Sequence, residues 1–383
     1  MRFDVIVVGI GGMGSAAAYH LARRGAKVLG LEQFDIPHEM GSSHGVTRII
    51  RLAYAEHPAY VPLLRRAYEL WRELENDAGE RLLFITGGID AGAPESATVR
   101  GSLQSCAIHH LPHDVLDAAS LTRRFPGCRL PSDMVAVYQP DAGFLLPERC
   151  IVAHAAAARK LGAAIHAGER VLEWRGDDNG VSVTTNRATH HAKRMVVTAG
   201  AWARTVLPEL KDLAVPERQV LIWTRPLRPE YFGLGAFPVF NMEVPEGRFY
   251  GFPVYGVPGF KIGKYHHRRE QADPDRMDRE CHPEDEEVVR AGIRRYFPDA
   301  DGPTIAMKAC LFTNSPDEHF ILDFHPEYPQ VAVASACSGH GFKFCGVVGE
   351  IMADLVLDGR TRFDIGMFRL GRFSHPGEVA KIS

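Results

Sequence analysis

The sequence predicts an α/β dinucleotide-binding fold of the Rossmann type, interleaved with an α+β region built on a large antiparallel sheet. Three observations predict it. A strand, a glycine turn, a helix and a second strand open the chain; the same grammar returns in the last quarter; and two stretches between them are rich in proline, glycine and aromatic residues.

Asp4 to Val8 is a short apolar run with β-branched side chains, as a strand buried on both faces would be. Gly9-Ile10-Gly11-Gly12-Met13-Gly14 follows at once, and then Ser15 to Arg24, helical in composition and stopped by Gly25. Lys27 to Glu32 reads as the next strand and completes a unit of about thirty residues. Within it Gly9 permits the tight turn, Gly11 lets the backbone approach a pyrophosphate, and Gly14 lets helix and strand pack closely. The helix N-terminus offers free N–H groups and a partial positive charge to the diphosphate. Glu32 can accept hydrogen bonds from both adenosine ribose hydroxyls, and an acid there disfavours NADP. The motif alone leaves NAD and FAD open.

Residues 60–77 predict an amphipathic helix with Tyr60, Leu63, Leu64, Tyr68, Leu70 and Trp71 inward. Stretches 83–145 and 216–265 carry short strand-like runs such as Val220 to Trp223, which fit an antiparallel sheet better than further crossovers. Cys150 to Leu161 is an alanine-rich helix, and Arg194 to Thr198 a buried strand closed by Ala199-Gly200. Val331 to Ala334 reads as a strand and Cys337 to Gly341 as a turn. Residues 342–357 form an amphipathic helix that buries Phe344, Val347, Val348, Ile351 and Leu355. No repeat or low-complexity tract interrupts the chain.

With 383 residues the chain can build about two or three domain-sized cores. A net charge of −3 provides no basic field for nucleic acid. No apolar run approaches the roughly 20 residues of a membrane-spanning helix. The N-terminus lacks a signal peptide's succession of charged, apolar and small residues, so no membrane or export role is expected. Seven cysteines, an odd number without CxxC pairs, predict reduced thiols in a cytoplasmic protein and no metal site.

More specific motifs follow. Gly41-Ser42-Ser-His44-Gly-Val-Thr47-Arg48-Ile-Ile-Arg51 comes after the second strand. Tyr250-Gly-Phe-Pro, Phe260-Lys261-Ile-Gly, Ala309-Cys310 with Ser315-Pro-Asp-Glu-His-Phe320, and Ser338-Gly339-His340-Gly341-Phe-Lys343-Phe occur in that order. In these the chain resembles the monomeric sarcosine oxidase family, which includes N-methyltryptophan oxidase and pipecolate oxidase, from residue 3 to about residue 373. The fold so implied is an α/β FAD-binding dinucleotide fold over 1–82, 146–215 and 306–383. An α+β substrate domain with a large antiparallel sheet takes 83–145 and 216–305.

The resemblance implies FAD joined by a thioether to Cys310, with Ser42, His44, Thr47 and Arg48 near the isoalloxazine. It makes Val171 the adenine contact and Thr198-Ala199-Gly200 the wall over the nucleotide. Gly339 and Gly341 allow close backbone approach and open a helix whose dipole, with Lys343, would stabilise negative charge on reduced flavin. Arg51, helped by Lys343, would clamp a substrate carboxylate, since a guanidinium fork suits it. Tyr250 would line the pocket, His340 would sit at its edge, and Lys261 would assist O2 reduction. The implied substrates are small secondary amines or N-methyl amino acids together with O2, and the implied state is a monomer. Hydride transfer would give an imine, and reoxidation H2O2.

Three positions depart from the family pattern: Phe312 for a tyrosine, Asn241 for a methionine, and Tyr265 for a histidine, with His266 and His267 directly following. They put sarcosine itself in doubt and predict a bulkier or cyclic secondary amino acid. Whether His266 can replace the missing imidazole depends on a one-residue strand phase. The competing readings are an FAD-dependent dehydrogenase or D-amino-acid-type oxidase on the same fold, a catalytically silent FAD-binding protein, and an NAD-dependent dehydrogenase. The last gives no reason for the motifs at 310 and 338–343.

Overall fold

The computed structural model describes residues 2–335 and 337–373. Strand Arg2–Val8 sends alternate side chains into two cores: Val5 and Val7 meet helices on one face, Ile6 and Val8 a second layer on the other. It pairs in parallel with Thr189–Val197 on one side and Val28–Leu31 on the other. Val331–Ser335 and Ala164–His166 extend this parallel set outward. Helices Gly12–Arg23, Val61–Ala78, Pro147–Lys160 and Cys345–Asp358 share the first core. A Cβ on Gly349 would lie 2.6 Å from the Ala16 backbone, so a side chain there would push the first and last helices apart. The opposite core is closed by the antiparallel strands Val171–Asp177 and Gly180–Thr185 and by Ala203, Leu207 and Leu210.

The second sheet has eight strands in the order Thr304–Asn314, Val215–Thr224, Phe260–Lys264, Gly247–Phe252, Val239–Val244, Gly88–Gly92, Val135–Gln139 and Asp114–Asp117. All its pairings are antiparallel except that of Val239–Val244 with Gly88–Gly92. Ile89, Phe240, Met242, Phe249, Phe260 and Ile262 pack with Val289, Ile293 and Tyr296 of helix Pro283–Tyr296. The period of two then sends Asp90, Asn241, Arg248, Tyr250 and Lys261 to the opposite face. That face looks onto the glycine turn of the first sheet, and the functional site forms between them.

Several expectations shift in detail. The first helix begins at Gly12, not Ser15, and Tyr68 is only half-buried on its helix. The stretch 83–145 holds helices Ala97–His109 and Ala118–Arg124 beside its strands. Helix Pro283–Tyr296 was not anticipated, although Pro283, three acids in its first turn and Arg294 and Arg295 in its last mark its ends. The break expected at residue 306 falls inside strand Thr304–Asn314 of the second sheet. Among the described residues no helix is long and apolar enough to cross a membrane.

Candidate active site

One cavity is lined at one end by Gly9, Gly11, Glu32, Val171 and Gly200 and at the other by Tyr250, Tyr265, Cys310 and Lys343. Gly9 adopts φ +88°, and a Cβ on it would stand 2.7 Å from the Thr198 carbonyl oxygen. Gly14 is tighter still: its Cβ would fall 1.7 Å from the Gly9 oxygen. Gly11 differs, because a Cβ there meets nothing within 4 Å on the cavity wall. The helix that starts at Gly12 has no side-chain cap at Gly11, so its first N–H groups stay open to an anion. Glu32 accepts from the N–H of Ile10 at 2.8 Å and of Phe34 at 3.1 Å, which fixes its carboxylate and leaves lone pairs for a ribose. Thr198 Oγ1 donates to the carbonyls of Val8 and Gly9 at 3.0 and 2.8 Å, tying the 198–200 wall to the turn.

Where the two sheets meet, Arg48 Nη2 donates to the Ser42 carbonyl at 2.7 Å and lies 3.5 Å from Cys310 Sγ. Behind Arg48 and Ser42 stands a second layer. Lys261 Nζ donates to Gly45 O at 2.6 Å, Thr47 O at 2.9 Å and Thr47 Oγ1 at 3.0 Å, so its three protons meet three acceptors. Burial and then the Arg48 charge hold its pKa well below the usual lysine value. Lys261, His44 and Thr47, expected beside the reacting ring, belong to this layer and not to the wall. His44 has no partner for either ring nitrogen among the described residues, and burial lowers its pKa to about 3.

His266 is also off the wall. The chain leaves its strand after Lys264, and His266 adopts φ +51°, so strand alternation no longer sets its side. There Nδ1 meets Glu217 at 3.1 Å and Nε2 meets Glu318 at 3.0 Å, and hydrogen bonds to those acids raise its pKa to about 9. Tyr265 takes the wall position, its ring 5.1 Å from Phe312 and 5.7 Å from Tyr250. Neither His266 nor His267 lines the cavity in its place.

Beyond these rings lies a closed circuit of charge. Arg51 Nη2 donates to both oxygens of Glu56 at 3.1 and 2.8 Å, and its Nε stands 3.4 Å from Asp90. Arg248 Nη2 donates to Glu56 at 2.7 Å and Arg248 Nε to Asn241 at 2.7 Å; Asn241 Nδ2 donates to Asp90 at 3.0 Å. Burial opposes charge on Arg51, but Glu56 and Asp90 outweigh it and raise the pKa. Glu56 is likewise buried, yet Arg51 and Arg248 keep it well below the carboxylate range.

Lys343 Nζ donates to the His340 carbonyl at 2.6 Å; burial and then Arg51 bring its pKa down to about 7. His340 Nε2 contacts the Glu318 carbonyl at 3.0 Å, which can only accept, so Nδ1 accepts from Tyr54 OH at 2.6 Å. Burial lowers its pKa to about 4, leaving a neutral ring with one tautomer and no nitrogen free for proton transfer.

A model of the FAD dependent oxidoreductase family matches residues 4–355. The chain belongs to this family. Monomeric sarcosine oxidase of Streptomyces avermitilis is 43% identical over 378 residues, covering 96% of each chain. N-methyl-L-tryptophan oxidase of Salmonella heidelberg is 37% identical, covering 98% of this chain and 100% of the relative. The solved structure of NikD, an unusual amino acid oxidase essential for nikkomycin biosynthesis, matches with TM-score 0.84 and 27% identity, over 96% of this chain and 97% of that one.

The family's FAD fits the cavity. The glycine turn leaves room only along Gly11, the helix N–H groups are open, and the buried hydroxyls of Thr313 and Ser335 line the cavity with no partner among the described residues. Sequence reasoning missed those two hydroxyls and Glu56, Asp90 and Arg248. Arg248 alone had a readable signal, since it shares a strand face with Tyr250 two residues on. No metal site was expected, yet His166, Glu169 and His190 bring ligand atoms within 4.8 Å of one another. In the structure Glu169 joins both imidazoles by hydrogen bonds of 2.8 and 2.7 Å and also accepts from Thr185 at 2.7 Å.

Proposed function

We propose that this flavoenzyme is an oxidase of secondary or N-methyl amino acids, with FAD fixed covalently at Cys310. The observation that carries this reading is the pairing of Arg51 and Lys343 in one chamber that opens onto Cys310. Likeness to sarcosine and N-methyl-L-tryptophan oxidases supports it. Bound FAD supplies the acceptor for a hydride equivalent from the amine C–H, and O2 then takes the electrons to give H2O2.

The chain's own residues bind and orient. Among the described residues Arg51 Nη1 donates to no group while Nη2 holds Glu56, and a substrate carboxylate docks there with Lys343 beside it. Tyr250, Tyr265 and Phe312 enclose the amine and exclude water. Burial brings the pKa of Lys343 down to about 7, so it can exchange a proton with the arriving amine. His340, neutral and bonded at both nitrogens, positions Tyr54 and the 338–343 turn. Burial disfavours charge on Lys261, but negative charge forming nearby would raise its pKa again, and so favour the first electron transfer to O2.

Phe312 and Tyr265 replace a hydroxyl and an imidazole, which shifts preference from sarcosine to larger substrates. Purified holoenzyme given sarcosine, N-methyl-L-tryptophan and pipecolate in air tests the reading. It predicts one H2O2 per amine oxidised and a lower kcat/KM for sarcosine than for larger secondary amino acids. Turnover with a dye acceptor but not with O2 would make the protein a dehydrogenase.

A further inference from the structure

We propose that Arg248 recognises a second carboxylate on the substrate, so that the preferred substrates are secondary amino acids with an acidic side chain. This rests on the amino-acid oxidase reading and names its substrate class.

Arg248 lies two residues before Tyr250 on strand Gly247–Phe252, and the period of two puts both side chains on the cavity wall. It is immobilised from three directions. Glu56 accepts from Nη2 at 2.7 Å, Asn241 from Nε at 2.7 Å, and the guanidinium lies 4.6 Å from the centroid of the Tyr265 ring. Asn241 is itself turned by its 3.0 Å bond to Asp90. Nη1 of Arg248 donates to no group among the described residues. Simple neutralisation of Glu56 would not require a guanidinium clamped on three sides. One held so, on a cavity-lining side chain and with a nitrogen uncommitted, is preorganised for an acceptor that arrives with the ligand.

Charge points the same way. Arg51 and Arg248 balance Glu56 and Asp90, and protonated Lys343 adds one positive charge. A monocarboxylic amino acid arrives at neutral pH as a zwitterion of no net charge. One with an acidic side chain arrives with a single negative charge, which complements the surplus. Arg51 and Lys343 take the α-carboxylate, leaving Arg248 for the second.

The test compares kcat/KM for N-methyl-L-aspartate and N-methyl-L-alanine, read as H2O2 release by holoenzyme, in wild type, Arg248→Met and Arg248→Lys. Wild type should favour the diacid by roughly tenfold or more, the worth of one charge-assisted hydrogen bond. Arg248→Met should collapse the ratio through KM of the diacid, and Arg248→Lys should keep part of it. Inhibition of wild type by succinate and butyrate needs no variant, and succinate should bind more tightly. Equal use of both amino acids with equal inhibition, or an Arg248→Met loss shared by both substrates, would overturn the assignment. If flavin-loaded enzyme oxidised neither, the oxidase reading would fall and the inference with it.

Discussion

In the proposed carboxylate clamp, Lys343 is the residue at which pH acts most directly. Its pKa is lowered to about 7, so the ammonium is charged below that value and neutral above it. A carboxylate held by Arg51 and Lys343 therefore loses one of its two cations as pH rises through neutrality. Butyrate, which carries no amine to titrate, isolates the effect. Its inhibition constant should rise by roughly tenfold or more from mildly acidic to mildly alkaline pH, and Lys343→Met should bind it weakly with a flat profile. A flat profile in wild type would remove Lys343 from the clamp. That Arg51, Cys310 and Lys343 line one cavity was legible, because each sits in a distinctive motif. Glu56 and Asp90 were not, since their role comes from ion pairs with Arg51 and, for Glu56, Arg248. The His266 phase was not legible either: strand alternation ends at Lys264, and a residue at φ +51° no longer follows it.

At the scale of the element, the glycine turn and the helix after it divide one motif into two physical tasks. Gly14 serves packing, since any Cβ there overlaps the Gly9 oxygen at 1.7 Å. Gly11 has no such packing task, since a Cβ there touches no protein atom within 4 Å, and the proposed reading gives it to the ligand. Gly11→Ala should therefore fold with a melting temperature close to that of flavin-free Cys310→Ala, yet be purified with well under one FAD per chain. Gly14→Ala should lose soluble protein altogether. Full flavin occupancy in Gly11→Ala would show that the pyrophosphate does not pass over this turn. The strand, turn and helix were readable because their signals are local. Helix Pro283–Tyr296 escaped notice although its caps are good, because its buried stripe of Val289, Ile293 and Tyr296 is thin among charged residues. What makes it an element is the second sheet beneath it, to which Arg218 ties Asp285 by two hydrogen bonds of 2.8 Å.

At the scale of the whole molecule, the site exists because two sheets built by different rules face each other. The parallel strands of the first sheet supply the glycine turn and Glu32; the second sheet supplies Asn241, Arg248, Tyr250 and Cys310 to the cavity, with Asp90 bonded to Asn241. Composition indicated both sheets, but not their pairing. The parallel contact of Gly88–Gly92 with Val239–Val244 and the placement of Thr304–Asn314 beside Val215–Thr224 join segments far apart in the chain, where no local pattern reports on partners. In the proposed holoenzyme one FAD spans the two sheets, with its diphosphate at the Gly11 turn and its ring fixed at Cys310. Acid denaturation of the purified protein, followed by intact-mass measurement of the precipitate, tests it most directly. A thioether at Cys310 gives a yellow pellet heavier than the bare chain by one FAD, and a Cys310→Ala pellet of bare-chain mass with the colour in solution. A wild-type pellet of bare-chain mass would contradict it.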